Sequence, residues 1–153
     1  MSTFADYPRI TPFLWFDSNA EEAVEFYLTV FRNSRRLGEQ HDTRTPNGGV
    51  LAISFELEGL TFTALNGGPL FHFNESVSFL VRCDSQAEVD YYWAKLIAEG
   101  SDGQCGWLKD KFGVTWQIVP ARLPELIQHP KAMQAMLKMK KLDIAELERA
   151  AKG

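Results

Sequence analysis

One pattern occurs twice in this chain, and no other feature constrains its fold as much. Asp17-Ser18-Asn19-Ala20-Glu21 and Asp84-Ser85-Gln86-Ala87-Glu88 share the form Asp-Ser-x-Ala-Glu, at a spacing far longer than a solenoid repeat allows. Each copy follows a short apolar run, residues 10–16 in the first and 77–81 in the second, of a length that fits a buried strand. Each copy then opens a helix. Ser18 with Glu21 and Ser85 with Glu88 read as capping boxes, in which hydroxyl and carboxylate satisfy the unpaired N–H groups of the first turn. Ala20, Val24, Tyr27 and Phe31 follow at helical spacing in the first copy, and Val89, Tyr92, Leu96 and Ile97 in the second.

Strand and turn signals come after each helix. Gly48-Gly49 precedes residues 50–57, where Leu51, Ile53, Phe55 and Leu57 alternate with Ala52, Ser54 and Glu56, so one face is apolar and the other mixed. Glu58-Gly59 turns the chain into residues 60–65, and Asp110-Lys111-Phe112-Gly113 turns it into residues 114–119. A doubly wound parallel sheet would need a helix between successive strands, so the pattern predicts an α+β fold of two βαβββ modules. Asn66-Gly67-Gly68-Pro69 marks the boundary: one domain over 1–153, with module one at about 8–66, module two at about 74–120 and C-terminal helices at about 122–152. In that tail Pro120 and Pro124 stop the sheet, Asp143 with Glu146 caps a final helix, and Ile144, Leu147 and Ala151 need a surface of this domain or of a second subunit.

With 153 residues, 45% hydrophobic and 24% charged, the chain can bury a core without staples, and no apolar run approaches the ~20 residues of a membrane helix. A net charge of −4 argues against a broad phosphate-binding surface, so neither nucleic acid nor membrane is an expected partner. No secretory signal is read at the start, which makes cytoplasmic location the expectation. Cys83 and Cys105 lack Cys-x-x-Cys spacing and are expected as free thiols.

Ile10-Thr11-Pro12-Phe13-Leu14-Trp15-Phe16, the helix from Ala20-Glu21-Glu22-Ala23 to Phe26-Tyr27, Leu65-Asn66-Gly67-Gly68-Pro69, and Cys105-Gly106-Trp107-Leu108-Lys109-Asp110 carry a resemblance. The sequence resembles the PhnB-like branch of the glyoxalase, bleomycin-resistance and dioxygenase (vicinal oxygen chelate) superfamily, a branch often labelled demethylubiquinone methyltransferase-like. The resemblance implies paired modules curling their sheets into a cup, a small-molecule ligand within it, and association as a homodimer. In metal-dependent relatives, His and Glu ligands come from the first and last strands of a module. Here the first-strand positions fall among Ile10, Thr11 and Pro12 and among Ser76, Val77, Ser78 and Phe79; the last-strand positions fall on Thr63 and Gln117. None is a histidine or carboxylate, so the expectation is no metal and no cofactor, with Glu56 and His72 the residues that an unexpected register would bring in.

Strand alternation nominates the ligand-binding residues. If Thr11 faces the cup, so do Phe13 and Trp15, with Ser78, Leu80 and Arg82 on the matching face and Thr63, Leu65, Thr115 and Gln117 turned inward. Trp107 and Cys105 share parity on a further strand. The alternative is that Phe13 and Trp15 simply fill a core. His41, His72 and His129 form no spaced pair, and nucleophilic use of Cys105 would need help from Lys109 or Lys111. Methyl transfer from an S-adenosyl donor usually employs a strand, a Gly-x-Gly turn and a helix, and no such arrangement occurs. The leading expectation is therefore a metal-free module binding a small, partly aromatic molecule. The rivals are an enzyme of the superfamily, acting on a vicinal-oxygen substrate or in methyl transfer, and a dimeric assembly protein.

Overall fold

The computed structural model describes residues 3–153, in two compact units, Met1–His72 and Phe73–Gly153. The first runs β1 (Phe13–Phe16), α1 (Ala20–Val30), β2 (Ser34–His41), β3 (Val50–Leu57) and β4 (Leu60–Asn66). Its open sheet has the order β1-β4-β3-β2, with β1 parallel to β4 and the other pairs antiparallel. The second runs β5 (Ser78–Cys83), α2 (Gln86–Ile97), β6 (Ser101–Asp102), β7 (Trp107–Lys109) and β8 (Thr115–Pro120), then α3 (Leu123–Leu126), α4 (Pro130–Leu137) and α5 (Ile144–Lys152). Its sheet repeats the topology, β5-β8-β7-β6 with β5 parallel to β8. The fold is α+β, two βαβββ motifs with C-terminal helices.

In the first unit, alternation sorts the strands into two faces. Ile53, Phe55, Leu57, Phe62 and Ala64 are buried with Ala23, Val24 and Tyr27 of α1, and the Phe55 ring stacks between those of Tyr27 and Phe62 at 6.2 and 5.4 Å. The opposite face presents Ser54, Thr61 and Thr63. Glu58 and Gly59, both at positive φ, form the tight turn between β3 and β4, a conformation whose twist matches that of the strands it joins. Trp15 is fixed against the next turn: its Nε1 donates to Gly68 O at 2.9 Å, and a Cβ on Gly67 would lie 2.3 Å from its ring.

The two helices start differently from one another. Ser85 is the N-cap of α2, accepting from Glu88 N at 3.2 Å, while the Glu88 carboxylate accepts from Asp84 N at 2.6 Å. The expected box at Ser18 is not formed. Asn19 is the N-cap of α1 and makes no side-chain cap bond; Asn66, at the end of β4, accepts from Ala20 N at 2.8 Å and donates to Glu21 Oε1 at 2.8 Å. An acceptor delivered by the sheet replaces the local one.

The tail covers its own unit. Leu126, Met136, Leu142 and Leu147 form a buried cluster, against which Cys105, Leu123, Ile127, Ala135, Met139 and Ala151 pack. Asp143 caps α5 as expected, accepting from Glu146 N at 3.0 Å. Gln86 clamps the tail to the first turn of α2, with Oε1 accepting from Ile144 N at 2.8 Å and Nε2 donating to Leu142 O at 3.0 Å.

Candidate functional site

The first unit contains a cavity of about 460 Å³ between its N-terminal segment and the polar face of its sheet, lined by Phe4, Tyr7, Pro8, Arg9, Thr11, Phe13 and Thr63. Backbone pairing continues from β1 into the preceding segment, where Thr63 N donates to Pro12 O at 3.0 Å and the Thr11 hydroxyl donates to Pro8 O at 3.1 Å. That segment folds back on itself through Tyr7 N, which donates to Phe4 O, and the two rings lie 5.3 Å apart at 54°. Thr63 is only 3% exposed, and its hydroxyl shares a 2.9 Å hydrogen bond with Ser54. Phe13, its neighbour across the parallel pairing, is 57% exposed, an apolar ring at the cavity wall.

Of the residues nominated from sequence, Thr11, Phe13 and Thr63 therefore line one cavity. Leu65 pairs with Trp15, whose indole is committed to the Gly67-Gly68 turn and to the edge of the Phe71 ring at 4.8 Å. Phe4, Tyr7, Pro8, Arg9 and Ser54 were not nominated. Ser54 lies on the mixed face already visible as an alternation; the N-terminal residues have no periodicity, and the aromatic spacing of Phe4 and Tyr7 before the first strand is their only signal.

In the second unit Ser78, Gln117 and Trp107 meet on one face. Gln117 Nε2 donates to Ser78 Oγ at 2.9 Å and Trp107 pairs opposite Gln117. Thr115 Oγ1, beside Ser78 in register, is buried and has no hydrogen-bond partner among the described residues. Lys109 forms an ion pair with Glu75 and holds that carboxyl below its usual range. Arg82 is turned to an exposed ion pair with Asp84 at 2.6 Å.

Cys105 requires a correction. It is not in the strand with Trp107 but one turn before it, at φ 60, its N–H donating to Met139 O at 2.8 Å and its side chain packed against the tail cluster. A left-handed residue followed by Gly106 at φ 88 breaks the alternation on which shared parity rests. Both cysteines are free, and burial pushes the Cys83 thiol up to about 11.

At the two last-strand positions expected for ligands, the Thr63 hydroxyl is bonded to that of Ser54 and the Gln117 amide nitrogen donates to Ser78 Oγ. Glu56 is engaged by Arg35 at 3.2 Å and His72 is exposed. Among the described residues no group of three or more His, Cys, Asp or Glu side chains is placed to hold a metal ion, and no helix is long and apolar enough to cross a membrane. The single parallel pairing in each sheet is reached through a helix and a hairpin, not through the Gly-rich strand-to-helix turn that holds a nucleotide cofactor.

The family described as 3-demethylubiquinone-9 3-methyltransferase matches residues 8–119. This chain belongs to that family. The description 3-demethylubiquinone-9 3-methyltransferase is one that the family shares with a PhnB protein. The chain is similar to the PhnB protein of Bacillus cereus, itself described as a putative 3-demethylubiquinone-9 3-methyltransferase, at 30% identity over 74% of this chain and 100% of that one, with a TM-score of 0.68. It shares its fold with a Pseudomonas aeruginosa protein at 19% identity, over 74% and 97% of the two chains and a TM-score of 0.61. It also shares it with the fosfomycin resistance protein FosX of Listeria monocytogenes, solved with Mn(II) and sulfate, at 14% identity, 80% and 96% coverage and a TM-score of 0.56. No curated protein matches the sequence.

Proposed function

We propose that this family member binds a small, partly aromatic organic molecule in the cavity of its first unit, without a metal ion. The observation that carries the reading is the lining itself: the rings of Phe4, Tyr7 and Phe13 share the cavity with the buried Thr63, whose hydroxyl is bonded to Ser54 behind it, in a volume within the range of small-molecule sites. Apolar walls supply affinity by removing surface from water, and a few placed polar groups fix orientation. The donor set supports metal independence. A divalent catalytic ion draws on imidazole, carboxylate or thiolate, and hydroxyls committed to neighbouring hydroxyls or amides do not fit that requirement.

A second reading is favoured by the family description: an enzyme of methyl transfer or of vicinal-oxygen chemistry. One experiment separates the two. In a thermal-shift screen of small aromatics, Mn(II), Ni(II), Zn(II) and S-adenosylmethionine, any compound that binds only the folded protein raises the transition, by about 2.7 kcal/mol at a hundredfold excess over its dissociation constant. The expected result is a response to aromatics, with amide shifts at Tyr7, Thr11 and Thr63 by NMR. A response to a metal ion or to S-adenosylmethionine, with none to aromatics at millimolar concentration, overturns the binding reading in favour of the enzyme.

A further inference from the structure

We propose that the cavity is selective for aromatic molecules bearing a carboxylate, with Arg9 as the residue that reads the charge. The inference rests on the binding reading above and adds the chemical class of the ligand.

Arg9 is the one charged residue among those lining the cavity; no carboxylate joins it there. Its guanidinium has no ion pair and no hydrogen bond among the described residues. That sets it apart from Arg35, Arg36, Arg44, Arg82 and Arg122, each of which is paired with at least one carboxylate. An unpaired guanidinium offers five donors in a planar fork that matches a carboxylate bidentately. The remaining walls select what carries that carboxylate. Phe4 and Phe13 are 56% and 57% exposed, apolar surface with nothing packed fully over it, and Tyr7 lies tilted against Phe4. A flat ring inserted among them gains offset or edge contacts, and its acid group meets the cation at the rim.

The polar floor carries no charge to substitute for Arg9: one hydroxyl proton is used between Ser54 and Thr63 and the Thr11 hydroxyl is donated to Pro8 O, which leaves one neutral donor in the pair. A neutral ligand is therefore held mainly by its ring, while an anionic one gains a charge-assisted contact. Arg9 is solvent-accessible, so the gain is moderate and falls with salt.

The probes are 2-naphthoate, its neutral isostere 2-naphthamide and the cation 2-naphthylmethylammonium, titrated into the full chain by calorimetry. The expected result is binding of the naphthoate about five- to tenfold tighter than the amide, with the ammonium weakest. Arg9→Gln should bring the affinities of acid and amide to within about twofold of each other. Arg9→Lys should keep part of the preference, and raising salt from 0.05 to 0.5 M should erode it. Equal affinities for acid and amide in the unaltered protein, or a preference that survives in Arg9→Gln, overturn the assignment to Arg9 and leave the binding reading intact. No binding of any of the three overturns both.

Discussion

The helices α1 and α2 open on the same five-residue pattern and are held by opposite means. In α2 the pattern suffices, because Ser85 and Glu88 close the first turn and free Gln86 to reach outward and grip the tail. In α1 the pattern stands idle at Ser18, and the first turn is held from outside by Asn66, which also donates to Val50 O and so ties the helix to two strands. A local motif thus acts only where no better-placed tertiary partner competes for the same N–H. The start of α2 anchors chain that comes later, whereas the start of α1 is itself anchored by later chain.

The largest expected effect tests the outward grip of the second unit. Leu142→Ala removes a fully buried side chain at the residue whose carbonyl Gln86 holds and against which Gly106 packs; a loss of about 2–5 kcal/mol is expected in urea unfolding. A loss under about 1 kcal/mol would mean that the tail is only loosely seated. Next come the caps. Asn66→Ala should cost about 2 kcal/mol, since it leaves Ala20 N and Val50 O without their partner, and Ser85→Ala about 1 kcal/mol. Ser18→Ala should stay within about 0.5 kcal/mol. If Ser18 proves as costly as Ser85, the contrast between the two starts is wrong.

The smallest effect concerns the long β2–β3 hairpin, whose counterpart strand β6 has only two residues. His41 Nδ1 lies 2.9 Å from Gly48 O and Nε2 lies 3.3 Å from Glu39 Oε1. With an acceptor at each ring nitrogen the imidazolium is favoured, and its pKa is raised above 6.5, first by the Gly48 carbonyl and then by Glu39. Its contribution is present in full below 6.5 and is lost as pH rises through the raised value. The protection factor of the Asp42 amide, whose N–H donates to Gly49 O, should fall across that window. An NMR titration placing His41 at or below 6.5 would remove the effect. On the acid side, Arg44 holds the Asp42 carboxyl down to about 2, so that contribution persists above 3.8 and fades only as pH falls through about 2.

Much of the fold was legible because burial writes itself into the sequence as period. The alternation over residues 50–57 and the helical spacing of Val24, Tyr27, Val89 and Leu96 mark faces that the structure buries. Strand β2 left no such trace. Ser34–His41 is an edge strand with no fully buried residue, and the charges of Arg35, Arg36 and Glu39 that keep an edge from recruiting other strands also hide it. Asn66 as a cap was invisible because its partner lies far back in the chain, and Cys105 was misplaced because a single left-handed residue resets alternation. The candidate site was half legible. Thr11, Phe13 and Thr63 follow from strand parity, whereas Phe4, Tyr7 and Arg9 sit in an irregular segment where no period operates.

Strand β1 joins its sheet only along β4, with Phe13 opposite Thr63, whereas β3 and β4 meet across two residues. Chain closure over about fifty residues carries a larger entropic cost than closure over a tight turn, so β1 is held to β4 at a higher cost than β3 is. The wall of the cavity stands on that costlier pairing. A molecule touching Phe13 and Thr63 together would bridge both sides of the seam and act as a fastener against fraying there.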